Sequence, residues 1–442
     1  MSAVALQGRG SSGWRWVAGC MLLSLALNLV YLAVVQRSVT IEADAIAYDR
    51  LGWQLAQGQG FPAEGEHQPE LPPLYPLFLG AVYALVGHNP HAVRLIQAVL
   101  VACVPLLVFL IASELKADRV IPEGAVRLAP LLAALYPPFV FYSAMLYRET
   151  LITFLLAVSM WQLVRSVSGR RLRHLVGFGV AIALTALTDN RFLYLPLCVA
   201  VALWLWDRRV RVWVRFGMVS ALTAAAVIGP WTIRNYRTFH RFVPIAVSQE
   251  KGFWLATHPG EFLEWDWRRE PLKSYAALDP ATRHQVLSRE AWENLERHPF
   301  VYMRLCVKRF FRFWLGGHSN MVPRWRHSLT ESARRKAYGV VLFKLLCLLI
   351  NLSYLVGGAI GAVSCLRASR HAAVAGLVAV VGYVTIVHTL VFAAPRYHLP
   401  IIPILIVCFA YGLSRRLIGP AKDARPSMRL TLEASPVQAC PR

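Results

Sequence analysis

The sequence predicts an all-α polytopic membrane protein, and three observations support this fold class. Of the 442 residues, 56% are hydrophobic and only 16% are charged, whereas a soluble domain is roughly 45–50% apolar. The apolar residues form blocks long enough to cross a bilayer as helices, which satisfy their backbone polar groups internally. The formal net charge of +23 comes largely from short basic runs between these blocks. Such runs are typical of cytoplasmic loops, so the charge does not indicate nucleic-acid binding.

The apolar blocks predict about ten transmembrane spans, allowing for tilt. The first block, residues 16–35, is not followed by a cleavage pattern of small residues, so we expect it to remain as a signal anchor. The block at 74–86 is too short to cross, and the prolines before it favour a helix lying at the membrane surface. The other predicted spans are at 92–114, 128–146, 150–165, 174–189, 192–207, 213–232, 338–366, 372–393 and 398–414.

The Lys and Arg residues predict the orientation of these spans. Most basic loops fall on one face, which we expect to be cytoplasmic together with both termini. The remaining ionisable clusters fall on the opposite, outer face. We therefore predict an N-terminal transmembrane module at 1–232 with a first outer catalytic loop at 36–91, a periplasmic soluble or interfacial region at 233–337, C-terminal transmembrane helices at 338–416, and a cytoplasmic tail at 417–442.

The sequence of the outer region at 233–337 predicts that this region is a small α-rich domain. Asp279 followed by Pro280 is a helix-start signal, and the helix should run towards Arg297. Pro299 interrupts it, and a second helix follows at 300–315. This second helix mixes basic residues with phenylalanines, a composition typical of helices that lie in the lipid interface.

The first outer loop contains an acidic helical pattern. Asp44, Tyr48, Leu51 and Leu55 recur at helical spacing, which predicts a short helix with Asp44 on its apolar face. A favourable charge near the helix N-terminus, supplied by Asp44 and Glu42, would also explain the acids. The same two carboxylates could hold a divalent cation, but no further acid lies nearby, so we predict no metal site.

These outer segments resemble those of the GT-C glycosyltransferases, membrane enzymes that take sugars from polyprenyl-phosphate carriers. The resemblance is strongest to the bacterial family 39-like branch, related to protein O-mannosyltransferases and the lipid A aminoarabinose transferase. It extends in order over residues 30–410 and is specific for the superfamily rather than for one substrate. The matching pieces are Asp44…Tyr48, Pro73-Leu74-Tyr75-Pro76-Leu77-Phe78, Arg94…Gln97, Tyr136-Pro137, Arg148-Glu149-Thr150, Pro230-Trp231…Arg234-Asn235-Tyr236, Pro299 with Phe313-Trp314, and Arg396-Tyr397…Pro400.

The resemblance implies roles for several outer residues. In this family an acid of the first outer loop acts as the base, and Asp44 occupies that position. Arg396 is the first choice to bind the donor phosphate, because a guanidinium donates two hydrogen bonds at once; Arg191 and Arg234 are weaker choices. Arg234 could instead anchor the chain at the interface. Glu149 is the second catalytic candidate: it could orient the acceptor or a metal, or form a salt bridge with an outer arginine. The other substrate-binding candidates are Tyr48, Tyr75, Tyr397 and His398, the last of which could be an ordinary interfacial histidine.

The sequence and the resemblance together predict an inverting glycosyltransferase of the bacterial inner membrane, with its active site on the periplasmic or outer face. Its donor would be a polyprenyl-phosphate-linked sugar, and its acceptor a glycan, a lipid or a protein. No cofactor is implied with certainty, although a divalent cation could participate. One departure bears on the donor: Glu70 and Leu71 precede Pro72-Pro73, where the aminoarabinose branch has a lysine just before its proline pair.

A transporter or flippase for a lipid-linked or polar solute is the alternative function. Transporters tend to place charges at mid-membrane on broken helices and to contain two related halves. This sequence shows neither feature, because its ionisable clusters lie at the ends of predicted spans.

Overall fold

The computed structural model of the protein describes residues 11–36, 44–62, 71–169, 171–240, 242–246, 249–258, 275, 278, 280–315 and 329–418. This part of the chain contains helices and no strand, which confirms the predicted all-α class. The helices are α1 (Ser11–Val34), α2 (Asp44–Ala56), α3 (Leu74–Val86), α4 (Pro90–Ala102), α5 (Val104–Ala117), α6 (Glu123–Ala134), α7 (Pro137–Ser143), α8 (Glu149–Gly169), α9 (Leu172–Thr188), α10 (Leu195–Asp207), α11 (Val210–Phe239), α12 (Gln249–Thr257), α13 (Pro280–Arg297), α14 (Pro299–Leu315), α15 (Leu329–Arg334), α16 (Tyr338–Ser369), α17 (Ala372–Leu390) and α18 (Ile402–Ile418), with 3-10 turns at Asn190–Phe192 and Pro395–Ile401.

The described helices make the chain a multi-pass membrane protein. Seven of them, counting α4 with α5 and the last 3-10 turn with α18, are long and apolar enough to cross a membrane; an eighth span forms if α6 and α7, bent by 42°, are taken together. The predicted spans at 174–189 and 192–207 correspond to shorter helices, α9 with 17 residues and α10 with 13. The 3-10 turn between them separates these two helices.

Glycines let α16 and α18 pack closely. Gly357 and Gly361 are four residues apart on α16, a spacing typical of membrane helices whose backbones approach each other. A Cβ atom on Gly361 would lie 1.9 Å from the carbonyl oxygen of Cys408, and one on Gly357 would lie 2.3 Å from the Phe409 ring. α18 also packs on α6, and the 3-10 turn before it packs on α7, α8, α14 and α17. This packing places Pro395–Ile401 against the first turn of α8.

The first outer loop contains α2 and α3, which pack against each other. A Cβ atom on Gly52 would lie 2.6 Å from Cβ of Leu79, so the two helices are in close contact. The Tyr83 hydroxyl donates a hydrogen bond of 2.5 Å to Oδ1 of Asp49. Nε2 of His88 lies 3.0 Å from Oδ2 of the same residue. These contacts fix the orientation of α2, whereas the position of α3 at the membrane surface stays a prediction.

The bounds of these helices follow the proline signals closely. α13 begins at Pro280 as predicted, α14 begins at Pro299, one residue before the predicted start at 300, and Asp279 lies outside the described residues. The predicted span at 213–232 corresponds to α11, which runs from Val210 to Phe239 although Pro230 lies within it. A proline removes one backbone donor but does not end a helix whose neighbours support it.

Contacts of α12 to α14 tie the outer region to the C-terminal spans. Oε2 of Glu290 accepts hydrogen bonds from Nε1 of Trp254 at 2.8 Å and from the Tyr275 hydroxyl at 2.7 Å. The Tyr302 hydroxyl of α14 donates a hydrogen bond of 2.8 Å to the carbonyl oxygen of Leu390, at the end of α17. α14 therefore contacts the C-terminal end of α17.

Candidate active site

Two acids and one arginine from distant parts of the chain meet where three helical elements begin. Asp44 is the first residue of α2, Glu149 is the first residue of α8, and Arg396 lies in the 3-10 turn that begins the last span. Nε of Arg396 lies 2.8 Å from Oε1 of Glu149, and its guanidinium also contacts the Asp44 carboxylate. An acid at the first turn of a helix is favoured by the helix dipole, which helps to hold both carboxylates there.

The two acids differ in exposure, and Asp44 does not lie where the helical pattern placed it. The Asp44 side chain is 48% exposed, whereas that of Glu149 is 3% exposed. The buried face of α2 is formed by Ala45, Tyr48, Asp49 and Gly52. The prediction that Asp44 lies on the apolar face is therefore wrong, because the face that packs on α3 is rotated from the predicted one. Asp44 is accessible to an incoming molecule.

Asp189 binds two arginines in a second ionic cluster. Oδ2 of Asp189 lies 2.6 Å from Nη2 of Arg191 and 3.3 Å from Nη2 of Arg148. Arg191 also contacts His388, with Nη1 2.8 Å from the ring Nδ1 atom. Burial would by itself raise the pKa of Asp189, but the charges of Arg148 and Arg191 outweigh burial and hold this pKa well below its usual range. Asp189 is therefore ionised at neutral pH.

The ring of Tyr397 joins the two clusters. The guanidinium of Arg191 lies 4.3 Å from the centroid of this ring, and that of Arg396 lies 5.5 Å from it. Arg396 also lies 4.4 Å from the centroid of Tyr147. Such cation–π contacts orient planar guanidinium groups. The two clusters therefore form one continuous site.

A hydrogen-bond chain below the site holds the segment that leads into α8. The Tyr75 hydroxyl donates a hydrogen bond of 2.9 Å to Oε1 of Gln97. Nε2 of Gln97 donates to the carbonyl oxygens of Ser143 at 2.9 Å and Met145 at 2.8 Å. The buried ring of Tyr48 packs edge-on against Tyr75, with 4.9 Å between centroids. Tyr75 therefore supports the segment before α8 through Gln97, and Tyr48 packs on Tyr75.

Burial and the nearby charges also act on Tyr48. Burial raises the pKa of its hydroxyl, and the charge of Arg148 opposes this rise, while those of Asp44 and Glu149 add to it. The hydroxyl is therefore protonated at neutral pH and can donate a hydrogen bond.

Arg234 and His398 hold the surroundings of the site. Nη2 of Arg234 donates to the carbonyl oxygens of Phe61 and Pro62, at 3.1 Å each, which binds the first outer loop to α11. His398 is buried, and its Nδ1 atom lies 2.5 Å from the carbonyl oxygen of Phe313, which binds α14 to the last span.

The described residues contain no group of three or more His, Cys, Asp or Glu side chains placed to hold a metal ion. Glu42, the residue that could join Asp44 in binding a cation, lies outside the described residues, as does Glu70.

The sequence analysis gave no site role to four residues of this region, Arg148, Asp189, His388 and Gln97, although Arg148 and Gln97 belong to the segments that carry the resemblance. Two of them had a local signal, since Arg148 precedes Glu149 and Asp189 stands two residues before Arg191. The pairing of Arg148 with Asp189 had none, because they are brought together by the packing of α8 against α9.

A family model and two curated relatives match parts of the chain. The model of the dolichyl-phosphate-mannose-protein mannosyltransferases matches residues 70–233. An undecaprenyl phosphate-alpha-4-amino-4-deoxy-L-arabinose arabinosyl transferase from Pseudomonas savastanoi pv. phaseolicola is 29% identical over 171 residues, which are 37% of this chain and 31% of the relative. The protein of the same name from Pseudomonas aeruginosa is 25% identical over 308 residues, which are 65% of this chain and 53% of the relative. The chain thus spans about half the length of these relatives or less.

Solved structures match almost the whole chain. ArnT from Cupriavidus metallidurans, bound to undecaprenyl phosphate, has a TM-score of 0.55 and 15% identity, covering 92% of this chain and 61% of that one. The archaeal oligosaccharyltransferase AglB from Archaeoglobus fulgidus, in complex with an inhibitory peptide and a dolichol-phosphate, has a TM-score of 0.55 and 14% identity, covering 91% and 50%. At this identity the matches show a shared fold.

Proposed function

We propose that this chain, which belongs to the GT-C superfamily, transfers a sugar from a polyprenyl-phosphate carrier to an acceptor hydroxyl at the outer face of the membrane. The observation that carries this proposal is the meeting of Asp44, Glu149 and Arg396 at the outer ends of three elements. A half-exposed carboxylate beside a buried one is a suitable arrangement for removing a proton from a hydroxyl.

The names of the related proteins support a lipid-phosphate donor. The curated relatives are named for undecaprenyl phosphate, and the two matched structures contain undecaprenyl phosphate or a dolichol-phosphate. These carriers share a long isoprenoid chain and one phosphate. The ionic clusters at the ends of the spans lie where the headgroup of such a lipid would lie.

Asp44 is the proposed base, because it is the more accessible of the two acids. Its carboxylate takes the proton of the acceptor hydroxyl, and the acceptor oxygen forms a bond to the anomeric carbon. The bond from that carbon to the phosphate oxygen breaks, and the phosphate leaves with the electron pair. A single displacement of this kind inverts the anomeric configuration. Glu149 and Arg396 orient Asp44 and the acceptor, which keeps the attacking oxygen in place.

The acceptor is proposed to be an envelope glycan, a lipid or a protein, and the transferred sugar a hexose or a pentose. Mass spectrometry of cell-envelope glycans from a strain without the gene tests the function directly. We expect one sugar modification to disappear and to return with the wild-type gene but not with Asp44→Asn at equal protein level. Glu293→Gln, whose carboxylate pairs with Arg289 and Arg297 of its own helix α13, is the matched control and should restore the modification. An unchanged envelope would contradict the proposal.

A further inference from the structure

The two ionic clusters carry opposite formal charges. Asp44 and Glu149 share Arg396, which leaves one negative charge. Asp189 is shared by Arg148 and Arg191, which leaves one positive charge in a largely buried place. An uncompensated buried charge is costly, so the positive cluster favours an anionic ligand, whereas the negative cluster disfavours one.

The arginines of the two clusters also differ in how many of their N–H donors lack a partner in the described structure. A guanidinium has five N–H donors. Arg396 pairs with two carboxylates, through a hydrogen bond from Nη2 to Asp44 and an ion pair between Nε and Glu149. Arg191 makes three contacts with Asp189, at 2.6, 2.9 and 3.1 Å, and a fourth with His388. In the described structure Arg148 has one ion pair, with Asp189 at 3.3 Å. Most donors of Arg148 therefore remain for a ligand.

Arg148 is well placed to meet a substrate that is bound next to Asp44. It immediately precedes Glu149, so it belongs to the turn that enters α8 at the outer face. Its side chain is 15% exposed, which makes it reachable although most of it is buried. Its partner Asp189 also binds Arg191, whose guanidinium lies over the ring of Tyr397 as that of Arg396 does. A group bound by Arg148 would therefore lie within the same site.

We propose that Arg148 binds the phosphate of the lipid-linked donor. Asp189 holds Arg148 in place next to Arg191, and Arg396 pairs with the two carboxylates of Asp44 and Glu149. This assignment rests on the proposed function and changes the residue that the sequence placed first at the phosphate. A phosphate at Arg396 would lie beside the carboxylates of Asp44 and Glu149, which would repel it. At Arg148 the phosphodiester of the donor neutralises the positive cluster. The second negative charge that develops on the departing phosphate is stabilised by Arg148 and Arg191.

The experiment measures binding rather than transfer. Purified full-length protein in phosphatidylcholine nanodiscs is titrated with undecaprenyl phosphate and, separately, with undecaprenol, and bound lipid is counted by native mass spectrometry. The ratio of the two affinities isolates the contribution of the phosphate from that of the isoprenoid chain. The variants are Arg148→Gln, Arg148→Lys and Arg396→Gln, with Arg289→Gln on the exposed face of α13 as the matched loss of an outer arginine.

We expect Arg148→Gln to reduce the preference for undecaprenyl phosphate by about tenfold or more, as expected for loss of charge-assisted hydrogen bonds. Arg148→Lys should lose less of this preference than Arg148→Gln, because an ammonium keeps the positive charge although it lacks the two-pronged geometry of a guanidinium. Arg396→Gln and Arg289→Gln should keep the preference within about threefold of the wild type. This is a smaller change than the loss of one charge-assisted hydrogen bond would cause. If Arg148→Gln does not fold, the comparison of Arg148→Lys with Arg396→Gln decides by the same ranking.

Three results would overturn the assignment, and they are distinguishable from one another. A loss at Arg396→Gln equal to or larger than that at Arg148→Gln places the phosphate on Arg396 and leaves the proposed function intact. A wild-type protein that does not prefer undecaprenyl phosphate over undecaprenol contradicts the donor class itself. A variant that is only less heat-stable, with the preference unchanged, shows that Arg148 is merely the structural partner of Asp189.

Discussion

Nε of Arg396 lies 2.8 Å from Oε1 of Glu149, and this contact joins the start of the last span to the start of α8. The same arginine also contacts Asp44, so three elements far apart in sequence are connected at one point. Breaking a buried ion pair leaves an uncompensated charge, which makes such a junction sensitive to substitution.

Asp44→Asn should reduce the rate of sugar transfer by roughly 10²–10⁴-fold, the usual contribution of a general base. The amide keeps the shape of the side chain but cannot accept the proton, so binding of undecaprenyl phosphate should remain. Transfer by purified protein measures the effect, with Glu293→Gln as a surface control. If Asp44 were only a favourable charge at a helix start, the change would cost under about 1 kcal/mol of stability and leave transfer nearly intact.

Arg396→Lys should transfer sugar much more slowly than the wild type although the positive charge is kept. One ammonium does not reproduce a planar guanidinium that contacts two carboxylates in different directions. The measurement is the transfer rate at matched protein level, combined with lipid binding, which should be retained. Equal transfer rates for the two proteins would remove Arg396 from the catalytic arrangement.

Gln97→Leu should lower the thermal stability of the purified protein more than Tyr75→Phe does. Gln97 donates to two carbonyl oxygens and accepts from Tyr75, whereas Tyr75→Phe removes only one of these bonds. Each buried polar group left without a partner costs about 1–3 kcal/mol. Thermal unfolding in detergent compares the variants. Equal midpoints for both would mean that Gln97 does not hold the segment before α8.

Gly361→Ala should destabilise the contact between α16 and α18, because its added Cβ would meet the backbone of Cys408 at 1.9 Å. Overpacking of this kind costs about 1–3 kcal/mol or more. Gly19→Ala is the matched control on α1, since a Cβ there has nothing within 4 Å. Thermal unfolding should separate the two variants clearly, and similar midpoints would contradict the close packing of these helices.

Reporter fusions test the orientation predicted by the basic loops. Fusions after Gln68 and Gln285 should report the outer side, and a fusion after Arg429 should report the cytoplasmic side. This pattern would place the Asp44 cluster on the outer face. Any other pattern would put the candidate site on the wrong side for the proposed donor and acceptor.

The sequence by itself determined the helical class and many helix bounds. α3 has the predicted range of Leu74–Val86, and α13 and α14 begin at Pro280 and Pro299. Apolar length and proline position act through the local backbone, so they can be interpreted without knowing the neighbours of a segment. The resemblance also brought Asp44, Glu149 and Arg396 into the site before their contact was known.

Only the tertiary structure decided which groups these residues engage. Helical spacing does not determine which face of α2 packs on α3, so Asp44 was placed on the wrong face. The pairing of Arg148 with Asp189 and the engagement of Arg396 by two acids depend on how α2, α8, α9 and the last span meet. Residues from distant segments meet their partners only when the helices pack. The net charge of each ionic cluster is therefore decided by the tertiary structure.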